Sequence, residues 1–250
     1  MTFESHSKLK NTPPIFWINL DSDTHRRDYM ESQFLKYKLK SNRISAYDGR
    51  NDDLSEYLKG SYPGYGISSK EIGCTISHLK ALKYWIDNYD TEYAIICEDD
   101  LDITTCEYWN FTWDEFLKNL PSEWDCIQTS AINGWNYKSE VELHKRYIEE
   151  WSTSSYLIKR NYAETIVNKY CKGDLYNISI YSHPHCNKPV ADNLVYIHGN
   201  VYTVNIFSYN TDFPSNIHED HLNNVHRPTR KYVLEWWKKN GKTTPIEKLL

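Results

Sequence analysis

The stretch Tyr93-Ala94-Ile95-Ile96-Cys97-Glu98-Asp99-Asp100 joins a short apolar run directly to three consecutive acids. A nearly continuous apolar run of this length is typical of a strand that is buried on both faces of a parallel sheet. In open α/β sheets, ligands bind beyond the carboxyl ends of the strands, so acids in that position predict a ligand site. The stretch therefore indicates an α/β fold and the place of its site.

The chain on both sides of this stretch alternates between strand patterns and helix patterns. Apolar runs and helical spacing predict strands at residues 15–20, 43–47, 93–97, 124–129, 151–158 and 201–207, and helices at 26–37, 69–85, 113–120 and 162–170. An order of strand, helix, strand at the start of the chain favours an α/β sheet flanked by helices.

The boundaries of the domain follow from composition. Residues 1–13 are polar and end at a Pro-Pro pair, which predicts a flexible lead-in. Residues 14–226 contain every predicted strand and no convincing linker, so we expect a single domain there. Residues 227–250 are basic and amphipathic, and we expect this tail to pack on the domain.

The overall composition excludes several classes of protein. A formal net charge of -5 without a basic run disfavours a nucleic-acid partner. Six scattered cysteines without a close pair indicate reduced thiols. The chain has no apolar segment of the length of an export signal or a membrane span, so we expect a cytoplasmic protein without a membrane partner. Oligomeric state leaves no clear pattern in the sequence.

The acids after the central strand predict a metal site. Carboxylates placed in sequence repel each other unless a cation binds them, and Mg²⁺ and Mn²⁺ prefer carboxylate oxygens and the diphosphate of a substrate. Strand alternation would turn Glu98 and Asp100 to one side and Asp99 to the other. We therefore assign Glu98 and Asp100 to the metal, with Asp99 and Asp102 as helpers. The alternative is a solvated acidic turn.

A second pattern lies in the helix predicted at 69–85. Spacings of three and four residues bring Glu71, Cys74 and His78 to one helix face, and Gly73 would let another backbone or a ligand approach closely. A buried histidine that is bonded to a neighbour is an equally good interpretation of His78.

Histidines cluster late in the chain, at His183, His185, His198, His218, His221 and His226. None of their spacings is that of a structural zinc site, so the indication of zinc is weak. A zinc-dependent hydrolase built from these histidines is the third hypothesis.

Three segments together resemble glycosyltransferase family 25, which includes lipooligosaccharide and collagen galactosyltransferases. They are Phe16-Trp17-Ile18-Asn19-Leu20-Asp21 with Arg26-Arg27, then Ala46-Tyr47-Asp48-Gly49, then residues 71–78 leading to residues 96–101. Weaker similarity continues through residues 155–158, 189–192 and 213–218.

The resemblance implies a fold of the GT-A type, which is a Rossmann-like mixed sheet flanked by helices, together with a UDP-sugar donor and a Mn²⁺ ion. It implies that the nucleotide is held by the first strand and its turn. The cofactor-binding residues are then Asn19, Leu20, Arg26, Asp48, His78 and Asp99. Glu98 and Asp100 would bind the metal, and His218 would complete the metal sphere.

The function expected from this resemblance is a metal-dependent, inverting transfer of galactose or glucose to a hydroxyl group. The acceptor would be a glycan or a hydroxylysine-type protein. Asp192 is the first candidate for the carboxylate that removes the acceptor proton, and Asp102 is the second. The alternative is a catalytically inactive module of the same fold that binds a nucleotide or a glycan.

Overall fold

The computed structural model describes residues 7–60, 66–133, 141–186, 188–213 and 222–250. Its strands are β1 (Ile15–Asn19), β2 (Ser41–Ser45), β3 (Tyr93–Glu98), β4 (Leu101–Asp102), β5 (Cys126–Asn133), β6 (His144–Lys145), β7 (Glu150–Lys159), β8 (Cys171–Lys172), β9 (Leu175–Tyr176), β10 (Val201–Thr203) and β11 (Ser208–Tyr209). Its α-helices are α1 (Thr24–Tyr37), α2 (Ser69–Asn88), α3 (Trp113–Asn119), α4 (Arg160–Tyr170), α5 (Ala191–Tyr196) and α6 (Arg227–Asn240).

Seven of these strands form a central mixed sheet in the order β2-β1-β3-β7-β5-β10-β6. β1 is parallel to β2 and β3, and β5 is parallel to β10. β7 is antiparallel to both of its neighbours, β3 and β5. The carboxyl ends of β1, β2, β3 and β5 and the amino end of β7 therefore share one edge of the sheet. The predicted mixed α/β sheet flanked by helices in a single domain is confirmed.

Element boundaries differ from the predicted ones by up to four residues, for example at β2, β5 and the late strand. β2 ends at Ser45, two residues before the predicted end. The late strand, predicted at 201–207, ends at Thr203. Beyond it, the backbone amides of Val204 and Phe207 donate to carbonyls of β5, so the chain continues beside β5 without regular pairing.

Helix α2 packs closely against the loop after β2, at the edge of the sheet where the strands end. Two glycines, Gly49 and Gly73, allow this close approach of the two backbones. A capping box starts the helix: the side chain of Ser68 accepts from the backbone of Glu71, and the Glu71 side chain accepts from the backbone of Ser68. A Cβ on Gly73 would stand 2.8 Å from the carbonyl oxygen of Tyr47, and one on Gly49 would stand 2.0 Å from that of Ser69. The close backbone approach predicted for Gly73 is confirmed.

Apolar side chains fill both faces of the sheet. On one face the large aromatic residues Trp109, Trp113 and Phe116 pack with Trp237 of α6. On the other face α2 and α4 pack on Phe16 and Tyr156. None of the helices in the described ranges has the length and apolar character needed to cross a lipid bilayer.

Both ends of the chain contribute to the first of these cores. Leu9 is 3% exposed and packs in it. Residues 1–6 of the lead-in predicted at 1–13 lie outside the described residues. The tail predicted at 227–250 buries Val233, Trp237 and Leu249 in the same core.

Candidate active site

A cavity of about 870 Å³ opens at the edge of the sheet where the strands end. Its size lies within the range of small-molecule sites. The cavity is lined by the last residues of β1 and β3, the first residues of β7, the buried face of α2 and the start of α5. Nearly all the residues that the sequence assigns to the site in the described ranges line it: Asn19, Leu20, Arg26, Asp48, His78, Glu98, Asp99, Asp100 and Asp192.

Glu98 and Asp100 meet two hydroxyl groups from the first residues of β7. Thr153 Oγ1 donates to Glu98 Oε1 at 2.7 Å, and Ser154 Oγ donates to Asp100 Oδ1 at 3.0 Å. Burial alone would raise the pKa of Glu98, but hydrogen bonds from His78 and Thr153 outweigh it and hold that pKa below its usual value. Burial raises the pKa of Asp100 to about 7 although Arg26 opposes the shift. These two carboxyl groups thus have similar surroundings and different proton affinities.

Asp99 turns away from β7 toward helix α1. Arg26 Nε donates to Asp99 Oδ1 at 2.6 Å, and Asn19 Nδ2 donates to Asp99 Oδ2 at 2.7 Å. Arg26 Nη2 also lies 3.6 Å from Asp100 Oδ2. Asn19, Arg26 and Asp99 are all buried. The guanidinium of Arg26 is shared between the neighbouring carboxylates of Asp99 and Asp100. In this structure Arg26 and Asn19 hold the acidic turn in place.

Asp102 lies outside the cavity and is occupied by other contacts. Arg230 Nη2 of α6 donates to Asp102 Oδ2 at 2.9 Å, and Thr104 donates to Asp102 Oδ1 from its backbone and its side chain. The side chain is nearly fully buried. These contacts engage both carboxylate oxygens of Asp102, and the residue does not line the cavity, so its role as a base stays a prediction.

Asp192 lies in the first turn of α5 and faces the cavity. Its Oδ1 accepts from the backbone amide of Ser152 at 2.5 Å. Burial raises the pKa of Asp192, and the charge of Arg146 acts in the opposite direction. A carboxyl group with a raised pKa that is fixed by one backbone amide is suited to accept a proton.

His78 is buried and bridges α2 to the end of β3. Its Nδ1 lies 3.1 Å from the hydroxyl of Tyr156, and its Nε2 lies 3.4 Å from Glu98 Oε1. Within the part of the chain that the structure describes, ligand atoms of Cys74, His78 and Glu98 lie within 4.8 Å of one another, and no late histidine belongs to such a group. Glu71, on the same helix face, is used in the capping box.

Asp48 lines the cavity with its carboxylate already engaged. Arg50 donates to it from the backbone and from the guanidinium, and Asn51 Nδ2 donates to it as well. The hydrogen bond from the Arg50 side chain is the main reason that the pKa of Asp48 falls to about 2. His218, which the resemblance assigns to the metal, lies outside the described residues.

Sequence reasoning missed the hydroxyl groups of Thr153 and Ser154. Residues 151–158 are predicted as a strand, but their direction in the sheet is not. The only local indication was the polar run Ser152-Thr153-Ser154-Ser155 at the start of an otherwise apolar strand. Since β7 runs antiparallel, this run lies beside the acids, whereas a parallel β7 would have placed it at the far edge.

Comparison with known proteins adds a family match. A family model described as glycosyltransferase family 25 (LPS biosynthesis protein) matches residues 12–179, which is more than half of the chain. A search of curated proteins gives no match. The crystal structure of A197 from STIV aligns with 10% identity and a TM-score of 0.38, over 78% of this chain and 83% of that chain. The crystal structure of HddC from Yersinia pseudotuberculosis aligns with 10% identity and a TM-score of 0.35, over 82% of this chain and 75% of that chain.

Proposed function

Because the chain belongs to glycosyltransferase family 25, we propose that it transfers a hexose, galactose or glucose, from a UDP-sugar to a hydroxyl group of a glycan. The observation that carries the proposal is the position of Glu98 and Asp100 on one wall of the cavity that Asp192 also lines. The family description names lipopolysaccharide biosynthesis, which favours a glycan over a hydroxylysine-type protein as the acceptor.

The acidic edge fits a divalent cation by its chemistry. Glu98, Asp99 and Asp100 are consecutive carboxylates, and the guanidinium of Arg26 is shared between the last two. Carboxylate oxygens are the ligands of Mn²⁺ and Mg²⁺, which also bind a diphosphate. In the proposed site, Glu98 and Asp100 hold the cation, which would neutralise the charge that grows on the departing UDP.

Cys74 and His78 bring sulfur and nitrogen donors close to Glu98. A donor set of cysteine, histidine and glutamate is one that Zn²⁺ prefers, whereas the two carboxylates without them favour Mn²⁺. We propose that His78 instead orients Glu98, because its other ring nitrogen is held by Tyr156. Metal analysis that found one tightly bound zinc per chain would contradict this assignment.

Asp192 has the role of general base in the proposed reaction. The acceptor oxygen attacks the anomeric carbon of the donor, the bond from that carbon to the UDP oxygen breaks, and the acceptor proton moves to the Asp192 carboxylate. A single displacement of this kind inverts the configuration at the anomeric carbon. Asn19, Leu20 and Asp48 line the part of the cavity nearest to β1, and we assign the nucleotide to that part.

The proposal is tested by measuring UDP-sugar turnover with and without Mn²⁺. We expect UDP-galactose or UDP-glucose to be hydrolysed slowly in Mn²⁺, hydrolysis to stop in a chelator, and Glu98→Gln and Asp100→Asn to lose the stimulation by Mn²⁺. In a thermal shift assay, UDP at ~100 times its dissociation constant should stabilise the protein by about 2.7 kcal/mol.

Two other outcomes of this experiment have definite meanings. UDP binding without any turnover, across the donors and with glycan acceptors present, would identify the inactive binding module of the same fold. A protein that is not stabilised by UDP in Mn²⁺ would contradict the proposed function itself. Asp102→Asn is the matched control, because it removes a neighbouring carboxylate that does not line the cavity.

A further inference from the structure

An exposed tryptophan stands on the wall of the cavity at the start of β7. Trp151 is 42% exposed and lines the cavity together with Ile148 and Glu149. In the described ranges, no other ring stacks on its indole. Other tryptophans of the chain, such as Trp109 and Trp237, are buried in the core. Trp151 therefore offers an aromatic face to whatever enters the cavity.

A bulge in β7 gives Trp151 this position. Between the pairs Ser130–Ser155 and Ile132–Trp151, the pairing advances by two residues along β5 and by four along β7. Two extra residues of β7 therefore lie among Ser152, Thr153 and Ser154, so the strand bends just after the tryptophan. Bulges next to active sites commonly change the direction of a side chain.

The bulge is held by buried polar groups although its backbone is strained. Ser152 has a φ of 99°. This positive value is sterically unfavourable for residues other than glycine. The buried side chain of Gln128 donates to the carbonyl oxygens of both Trp151 and Ser152, at 3.0 and 2.8 Å. Tyr196 Oη donates to the same Ser152 oxygen at 3.0 Å. Strain that is fixed by several buried partners is typical of functional segments.

The same bulge donates a hydrogen bond to the proposed base, Asp192. The donor is the backbone amide of Ser152, which bonds to Asp192 Oδ1. Trp151 is the residue directly before Ser152 in the chain. We propose that Trp151 forms the acceptor subsite and stacks on a pyranose ring of the glycan that presents its hydroxyl to Asp192. This inference deepens the proposed function and rests on it.

The chemistry of the subsite matches a sugar ring. The axial C–H bonds of a pyranose carry partial positive charge and meet the negative face of an indole favourably. The exposed carboxylate of Glu149 lies on the same wall and can accept hydrogen bonds from sugar hydroxyls. An apolar platform with a few polar groups around it is the usual form of a small-molecule site.

The inference is tested by ligand binding that does not depend on turnover. The probes are methyl glycosides of galactose, glucose, mannose and N-acetylglucosamine, observed by saturation-transfer NMR with UDP and Mn²⁺ present. We expect at least one glycoside to bind the unsubstituted protein and Trp151→Ala to raise its dissociation constant by about tenfold or more. Trp151→Phe should retain part of the affinity.

Tyr147→Ala is the matched control, because Tyr147 is also an exposed aromatic residue near the start of β7 but does not line the cavity. It should bind glycosides as the unsubstituted protein does, and UDP should stabilise all four proteins equally. Equal glycoside binding by Trp151→Ala, or no glycoside binding by the unsubstituted protein, would overturn the subsite. A protein that binds glycosides through Trp151 but fails to bind UDP would instead contradict the proposed donor and leave the sugar subsite standing.

Discussion

At the scale of single residues, two aspartates of the same chain have opposite surroundings. Asp192 faces the cavity and is fixed by one backbone amide, whereas Asp102 is buried against Arg230 of α6. Both were candidate bases once the resemblance to the family was recognised, Asp192 as the first and Asp102 as the second. The difference comes from the tertiary contact with α6, which no local pattern encodes.

The first prediction separates these two residues by activity. We expect Asp192→Asn to lower the transfer rate by ~10² to 10⁴, because the asparagine oxygen can still accept from the Ser152 amide but cannot take the acceptor proton. UDP binding and thermal stability should change little. Initial rates of transfer at saturating donor, with UDP binding measured in parallel, provide the test.

Asp102→Asn is the matched comparison for this prediction. Replacing it weakens the ion pair to Arg230, so we expect a lower melting temperature and a transfer rate close to that of the unsubstituted protein. Near-normal transfer by Asp192→Asn, or a large loss of transfer by a folded Asp102→Asn, would reverse the assignment.

At the scale of elements, helix α2 is fixed against the loop after β2 by contacts between backbones. Gly49 and Gly73 face each other across this contact, where a Cβ on Gly73 would lie 2.9 Å from the nitrogen of Gly49. Cys74 and His78 follow directly on the same helix, and Asp48 precedes Gly49, so this contact sets the distance between two walls of the cavity.

The second prediction concerns Gly73→Ala. Because the added methyl group would meet backbone atoms that cannot rotate away, we expect a loss of about 1–3 kcal/mol in the free energy of unfolding and weaker UDP binding. Urea unfolding and UDP titration measure the two effects. Gly66→Ala is the control for the loss of a glycine, since a Cβ there meets nothing within 4 Å, although its positive φ adds a local strain. A Gly73→Ala protein as stable as the original would show that the helix can shift.

The same elements show what the sequence can predict. The Ser68 cap and the acids after β3 depend on residues that are close in sequence, so their local structure was predictable. The residue type of Gly73 predicted a close approach, but its partners Tyr47 and Gly49 could be found only in the structure. The direction of β7 was not predictable, because it is set by pairing with β3 and β5 over chain separations of 17 to 66 residues. For that reason the hydroxyls of Thr153 and Ser154 and the bulge at Ser152 could only be found in the structure.

At the scale of the whole molecule, the last helix completes the core of the domain. Trp237 of α6 is 1% exposed, donates from Nε1 to the carbonyl oxygen of Asn205 at 2.7 Å and contacts the rings of Trp109 and Phe111. α6 also provides Arg230, which pairs with Asp102 just after the acidic turn. The tail is therefore coupled to the site through the core and through this ion pair.

The final prediction follows from this coupling. We expect Trp237→Ala to lower the free energy of unfolding by about 3–5 kcal/mol, because it leaves a large cavity among the aromatic side chains and removes a buried hydrogen bond. Unfolding in urea should remain one cooperative transition, since the residue belongs to the core of the only domain described. The adjacent Trp236 is only half-buried, so Trp236→Ala should cost clearly less. Equal losses for the two variants, or a separate early transition in Trp237→Ala, would mean that residues 227–250 form an attachment that the domain does not need.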